Sequence, residues 1–430
     1  MKLHIKYQEA INLLQSYVMA NGSGLASNPE LIAIITHWLQ NPGTVPPYST
    51  ENFSAAWLQY LKVYELTQKT SIEARQKRQI KPEKYSLQIQ YSENGSTIPF
   101  PPLKRPKFDF IDLFAGIGGF RIALQSIGGQ CVLSSEWDTG AKETYFRNFG
   151  EFPYGDVRQF TRPEISDETI ADTIPDHDIL AAGFPCQPFS LAGVSARNSL
   201  SQLHGFACET QGTLFFDIVR IAHVKRPKVL FLENVKNLIN HDGGRTFEII
   251  KHTIEDELGY SFKHKIIDAS TLVPQHRERC YMICFRDPNV EFEFHDSWFS
   301  GEPRALREIL EEEPDPQYTI SEKLWQGHIN RSKRNKARGT GFTVKLADLD
   351  KPSNTIVARY GKDGKECLIG QEEKPPRMLT LRETSRIQGF PETFKPAPTR
   401  TQGYRQFGNS VAVPVVTKLA EKIKSYLDRL

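Results

Sequence analysis

From Phe108 onward, apolar runs of strand length alternate with stretches of helical spacing. FDFIDLF, CVLSSEW, DILAAGF and KVLFLEN are strand-like runs, and a helix through Ile122 to Ile127 separates the first two. Alternation of this kind predicts βαβ units around a parallel sheet covered by helices, an α/β fold. In such sheets ligands bind outside the carboxyl ends of the strands, so the residues that close each run are where chemistry is expected.

Ahead of that region, apolar residues at Tyr7, Ala10, Ile11, Leu14 and Tyr17, and again across Trp57 to Leu66, repeat at helical spacing and predict a small helical unit. Thr70 to Lys107 turns basic and polar, and Pro82, Pro99, Pro101, Pro102 and Pro106 bar a long helix, so a linker is expected there. After Arg286 the pattern weakens into a region rich in charge and glycine that runs to about Pro376, where a second, smaller domain fits. Order returns with MLTLRETSRIQGF, and residues 411–430 read as a closing helix with Leu419, Ile423, Tyr426 and Leu427 at suitable spacing. The expected division is therefore an N-terminal helical extension and linker (1–107), a main α/β domain (108–286), a smaller domain (287–376) and a return segment that completes the main domain (377–430).

Composition narrows the class. A chain of 430 residues with 39% apolar and 11% aromatic content can build a large core and more than one domain. No apolar run approaches the roughly 18 residues of a membrane helix, and the opening turns polar too soon for a secretory leader, so a cytoplasmic protein is expected. The six cysteines are scattered without a CxxC pair, which favours free thiols over disulfides or a metal site. A formal charge of +3 is too small to argue for nucleic-acid binding by itself; local runs must decide that.

Asp112-Leu-Phe-Ala-Gly-Ile-Gly-Gly-Phe120 follows a strand and opens a helix, so Gly116, Gly118 and Gly119 would let a ligand approach the backbone. Glu136 closes the next run, where an acid can accept from a ribose hydroxyl, and the pair points to an adenosine-containing cofactor; the spacing differs from the GxGxxG of dinucleotide folds. Gly183-Phe-Pro-Cys-Gln-Pro-Phe-Ser190 puts Cys186 on the turn leaving DILAA. A lone cysteine is usually a small core residue, but a thiol between prolines at a sheet edge is better placed for nucleophilic attack. A hydrolase would want a histidine beside it, and His177 and His204 have no diagnostic spacing. Glu233 closes the run Lys228-Val-Leu-Phe-Leu-Glu233 at the same expected edge. Arg277 and Arg279, two apart in Gln275-His-Arg-Glu-Arg279, would share a face of an extended segment.

Taken together, DLFAGIGGF, EWD, GDV, GFPCQPFS, TLFFD, ENV, QHRER, RETSRIQGFP and QFGNSV resemble, in order, the bacterial DNA cytosine-5 methyltransferases, from about Phe108 to the C terminus. The resemblance implies a Rossmann-like class I S-adenosylmethionine-dependent methyltransferase domain with a target-recognition domain. It also implies that Cys186 adds to cytosine C6 and that Glu233 protonates ring N3. Arg279 would contact the cytosine carbonyl, with Arg277 and Asn234 as scaffold. For S-adenosylmethionine it implies Phe114 on the adenine, Glu136 on the ribose, Trp137 as an apolar wall and Asp156, beside Val157, on the exocyclic amine. Gly116, Gly118, Leu214, Asn409 and Val411 would complete the pocket.

The base must leave the duplex stack for this chemistry, and residues 187–212, with Gln187 and Ser190 as DNA contacts, are the expected closing loop. Target choice falls at about 287–376. There Arg331, Lys333, Arg334 and Arg338 belong to a basic run suited to phosphates, although a solvated helix face has the same composition. GTGF and TIVARYGKDGKECLI resemble methylases for CC-x-GG-type sites, which makes Thr355, Arg359 and Tyr360 candidates for base choice. The expected partner is double-stranded DNA, with a companion restriction endonuclease and a monomeric enzyme as the family pattern. An RNA or tRNA methyltransferase and a catalytically silent DNA-binding regulator are the alternatives. The N-terminal unit lies outside the resemblance; DNA binding, self-association and operon regulation are all open to it.

Overall fold

A computed structural model of the chain describes residues 2–21, 24–41, 53–69, 86–93, 96–185, 214–339, 341 and 343–429. Its strands are β1 (Lys2–Lys6), β2 (Ser86–Gln90), β3 (Ser92–Glu93), β4 (Ser96–Thr97), β5 (Phe108–Leu113), β6 (Gly129–Ser135), β7 (Ile179–Gly183), β8 (Val229–Val235), β9 (Lys263–Asp268), β10 (Glu278–Phe285), β11 (Ile369–Gln371) and β12 (Lys374–Arg377). The central sheet has the order β6-β5-β7-β8-β10-β9. β5 to β8 run parallel, and β10 lies antiparallel between β8 and β9. Two layers of helices cover this sheet, which explains the uninterrupted apolar strands. In β7, Leu180 and Ala182 enter one core while Ile179 and Ala181 enter the other.

The chain leaves β5 for β6 on one side and returns to β7 on the other, so a crevice opens at the carboxyl ends where the order reverses. Because β10 is reversed, its first residues lie at that same edge: Arg279 sits opposite Val235 at the end of β8. The closing helix Val413–Leu427 packs on the helix Gly119–Ser126, and a Cβ at Gly119 would come within 2.7 Å of Val411 Cγ2.

The N-terminal unit is part of this body rather than an appendage. The helix Leu31–Gln40 is buried on almost every side, an apolar pattern typical of a core helix, and it shares a hydrophobic core with β5, β6 and β7. The expected linker is corrected over its second half. β2 pairs in parallel with β1 from Lys2↔Ser86 to Lys6↔Gln90, and the Phe100 N–H donates to the Asn148 carbonyl at 2.9 Å. Residues 70–85 lie outside the described part.

A buried polar cluster fills the seam. Arg121, fully buried, donates to Gln40 Oε1 at 2.7 Å and pairs with Glu151 Oε1 at 2.7 Å, while its guanidinium stacks over Phe149. Nearby, burial holds the Asp112 carboxyl well above the ordinary range.

The smaller domain has its own core around Leu306, Ile320, Ile356, Tyr360 and Leu368, joined by Leu379, Ile387 and Tyr404 of the return segment. The basic run lies on the helix Glu322–Ala337, which Ser321 caps by accepting the Leu324 N–H at 3.2 Å.

Removing one member of a buried pair strands the other charge. Glu151→Leu is therefore expected to cost about 3–5 kcal/mol in chemical denaturation followed by circular dichroism. A cost below about 1 kcal/mol, the range of a surface pair, would contradict the account.

Candidate active site

A cleft of about 700 Å³ opens at the carboxyl edge of the sheet. The loop after β5 enters it with Phe114 at φ +57° and Gly116 at φ +55°. A left-handed aromatic residue is uncommon and is held here by its surroundings. Glu136, at the end of β6, accepts the Gly116 N–H through Oε2 at 2.8 Å and the Asp138 N–H through Oε1 at 2.8 Å. Burial raises its pKa, and those two backbone donors act in the opposite direction. Trp137 is 79% exposed and presents its indole at the cleft mouth. Asp156 is held below the ordinary carboxylate range by the side chain and backbone N–H of Arg158, which binds it through both oxygens. Val157, Leu214, Asn409 and Val411 line the same cleft.

The glycine reading needs correcting at two positions. Gly118, at φ +85°, does not face the cleft: a Cβ there would meet Phe149 Cε2 at 2.2 Å. Gly119 lines the cleft, but its missing side chain makes room for Val411. Gly116 alone of the three has nothing crowding its Cβ position and can let a ligand approach.

The other end of the cleft holds Glu233, Arg277 and Arg279. Arg279 Nε lies 3.1 Å from Glu233 Oε1. Burial lifts the pKa of Glu233, while Arg279 and then Arg277 pull it back. The Glu233 Oε2 would stand 3.4 Å from a Cβ at Gly183, the last residue of β7, so the two strand ends meet here. Asn234 Nδ2 donates to the Phe184 carbonyl at 2.9 Å and ties down the segment that leads to Cys186. Arg277 is buried and donates to the carbonyls of Ile356 at 3.0 Å, Gly408 at 3.1 Å and Ser410. Burial and Arg279 push its pKa down to about 9, so it stays charged at neutral pH. It is a positioning residue that clamps the return segment to the sheet, which brings Asn409 into the cleft.

Several expectations fall elsewhere. Cys186, Gln187, Ser190, His204 and the loop 187–212 lie outside the described residues. His177 precedes β7, at the opposite edge from the residues that follow it, and its Nδ1 donates to the Pro175 carbonyl at 2.8 Å. It cannot be the partner of a nucleophile after β7. Tyr360 is corrected as a base reader: it is fully buried, its hydroxyl donates to the Cys367 carbonyl at 2.7 Å, and its ring packs on Tyr404. Arg359 is exposed beside Glu366 at 3.6 Å, and Thr355 Oγ1 donates to the His276 carbonyl. Arg331, Lys333 and Arg334 are exposed along the helix, and Arg338 is exposed just after its end.

Residues not foreseen also line the cleft, among them Asp138, Arg158, Asp217, Arg405 and Gln406. Asp217 had a readable signal, since it follows Leu214 by three on one helix and so shares its face. Thr161 Oγ1 donates to Asp217 at 2.5 Å, yet burial lifts its pKa to about 6.

Fold and cleft together define a Rossmann-like methyltransferase, with an acid oriented by two backbone N–H groups at the end of β6 and a buried Glu–Arg pair at the ends of β8 and β10. The chain belongs to the C-5 cytosine-specific DNA methylase family, which matches residues 108–425. It is 46% identical over 337 residues to the type II methyltransferase M.SsoII of Shigella sonnei, covering 77% of this chain and 84% of that one. It is 41% identical over 390 residues to a DNA-cytosine methyltransferase of Escherichia coli K12, covering 78% and 82%. Among solved structures, the Dnmt2 methyltransferase of S. pombe has the same fold, with a TM-score of 0.57, 19% identity and coverage of 74% and 99%.

The protein is thus a DNA cytosine-5 methyltransferase that uses S-adenosylmethionine. The cleft fits that cofactor: it offers a carboxylate oriented by two backbone N–H groups, an open glycine and an exposed indole, as a sugar, a polar tail and an adenine require.

Asp217 gives a pH signature. Its folded pKa is raised, so its stabilising contribution is present below the unfolded value and is lost as pH rises from about 4 to about 6. A shift of about two units is worth roughly 3 kcal/mol at most. Asp217→Asn is expected to flatten thermal stability across that window, as scanning calorimetry at a series of pH values would show.

Proposed function

We propose that the protein methylates C5 of one cytosine within a short double-stranded DNA site, with Cys186 as nucleophile, and so protects DNA from a companion restriction endonuclease. The observation that carries the proposal is the Glu233–Arg279 pair at the cleft end opposite Glu136 and Asp156. When bound, S-adenosylmethionine supplies an electrophilic methyl group.

Glu233, whose protonated form burial favours, is suited to donate to ring N3 as the Cys186 thiolate adds to C6, which stabilises the charge that develops on the ring. Arg279 keeps Glu233 oriented and leaves guanidinium N–H groups to bind the cytosine carbonyl. Pro185, the residue before Cys186, lines the cleft, which supports a nucleophile on this edge. On the cofactor side Glu136 receives the ribose hydroxyls, Phe114 and Trp137 flank the adenine and Asp156 accepts its amine. The exposed basic helix with Arg331, Lys333, Arg334 and Arg338 fits phosphate contacts, and Arg359 with Thr355 fits base reading. One chain carries all of these groups, which supports action as a monomer. No helix among the described residues is long and apolar enough to cross a membrane.

Bisulfite sequencing of plasmid DNA from expressing cells should reveal one short sequence protected at a single cytosine, and Cys186→Ala should abolish it. Absence of protection with soluble protein would overturn the DNA substrate and make tRNA the next to test. Glu233→Gln should lower kcat by about 10²–10⁴-fold. Because the acid must be protonated, wild-type rate should fall as pH rises through the elevated Glu233 pKa, and this limb should be missing in the Gln variant.

A further inference from the structure

The N-terminal unit lies ahead of the family match, yet its polar side chains converge on one stretch of the catalytic body. The Tyr7 hydroxyl donates to the Gly150 carbonyl at 2.5 Å, and Gln40 Nε2 donates to the Phe149 carbonyl at 2.6 Å. Thr36 Oγ1 accepts the Phe152 N–H at 3.0 Å, and the buried ring of His37 accepts the Ser134 N–H through Nε2 at 3.0 Å. Burial keeps His37 neutral by pushing its pKa down, and its Nδ1 donates to the Ala33 carbonyl at 2.8 Å. Glu30 accepts the Gly155 N–H with both carboxylate oxygens at 3.2 Å, and Lys142 Nζ lies 3.8 Å from it.

These contacts fall on the two segments that hold the cofactor's sugar and adenine groups. Ser134 is two residues before Glu136, and Gly155 is the neighbour of Asp156. The segments are also stitched to each other: the Glu136 N–H donates to the Tyr154 carbonyl at 2.8 Å, and Ser135 Oγ donates to the Gly155 carbonyl at 2.6 Å. Gly155 itself lines the cleft. Two glycines are shaped for the extension. A Cβ at Gly155 would meet Glu30 Oε1 at 2.7 Å, and a Cβ at Gly150 would meet Ile98 Cδ1 at 2.5 Å and Tyr7 Cε1 at 3.1 Å.

We propose that the N-terminal unit is the outer wall of the cofactor site, with Glu30 as a positioning residue that fixes the Gly155–Asp156 backbone from behind. The carboxylate takes up a backbone N–H that would otherwise lose its partner, and it sets where Asp156 points without touching the ligand. The effect should therefore appear in cofactor affinity rather than in DNA affinity. The proposal rests on the cofactor reading of the cleft.

Its test is titration calorimetry with S-adenosylhomocysteine and, separately, with duplex DNA, on the full-length chain. Glu30→Ala should weaken S-adenosylhomocysteine binding by about tenfold, the scale of a lost charge-assisted hydrogen bond, and leave duplex binding unchanged. Glu30→Gln, which keeps an acceptor oxygen, should recover most of the loss. Tyr64→Phe removes a hydrogen bond to Glu9 within the same unit, far from Gly155, and should bind like the wild type. If Glu30→Ala does not fold, Glu30→Asp, which withdraws the carboxylate by one methylene, carries the same expectation. Unchanged S-adenosylhomocysteine affinity overturns the proposal, and so do equal losses for S-adenosylhomocysteine and DNA. A wild-type protein that binds no S-adenosylhomocysteine would overturn the cofactor reading itself, and the proposal with it.

Discussion

The structure depends on the pairing of Arg121 with Glu151 beneath the cofactor loop. Arg121 lies in the first turn of the helix that the glycine turn opens, and Glu151 lies in the segment between the following helix and Asp156. Two charges taken out of water must satisfy each other and their remaining polar atoms, or the fold loses several kcal/mol. Gln40, Tyr145 and Gln125 also accept from the arginine, and Ser134 Oγ donates to Glu151 Oε1 at 2.7 Å. One pair therefore fixes the glycine turn, the end of β6 and the N-terminal unit relative to one another. Those are the walls against which Glu136 and Asp156 are held.

Arg277 plays the corresponding part at the Glu233 end of the cleft. It ties the start of β10 to the smaller domain at Ile356 and to the return segment at Gly408 and Ser410. The approach is so close that a Cβ at Gly408 would fall 2.3 Å from the Val357 carbonyl carbon and the Ala358 nitrogen. A rigid junction of this kind fixes the spacing between the Glu233–Arg279 pair and a smaller domain that carries the basic helix. It has a direct bearing on function, because base chemistry and target reading must share one frame.

The carboxyl-edge residues were legible in the sequence because each closes a strand or opens a helix. Phe114, Glu136 and Glu233 follow apolar runs, and their positions at one edge follow from a parallel sheet. Spacing put Arg279 on one face of an extended segment with Arg277, but its place at the carboxyl edge was not legible, since periodicity does not reveal that its strand runs backwards. Tyr360 was misread because a tyrosine between an arginine and a glycine has no local mark that distinguishes a reader of bases from a core ring. Gly118 was misread because a glycine spared for a neighbouring phenylalanine has the same letter as one spared for a ligand.

By itself, the sequence determined the α/β class, the order of the parallel strands, the family and many of the residues that line the cleft at the carboxyl edge of the sheet. These are written in local periodicity and in short motifs whose spacing is fixed by the chain. Only the tertiary structure decided that the N-terminal unit packs against the segments around Ser134 and Gly155, that Gly118, Gly150 and Gly155 make room for neighbouring side chains and that Arg277 binds the carbonyls of Ile356, Gly408 and Ser410. Each of these rests on contacts between residues far apart in the chain. Such contacts depend on how buried charges and side-chain volumes are matched across an interface, and neither spacing nor composition records that match.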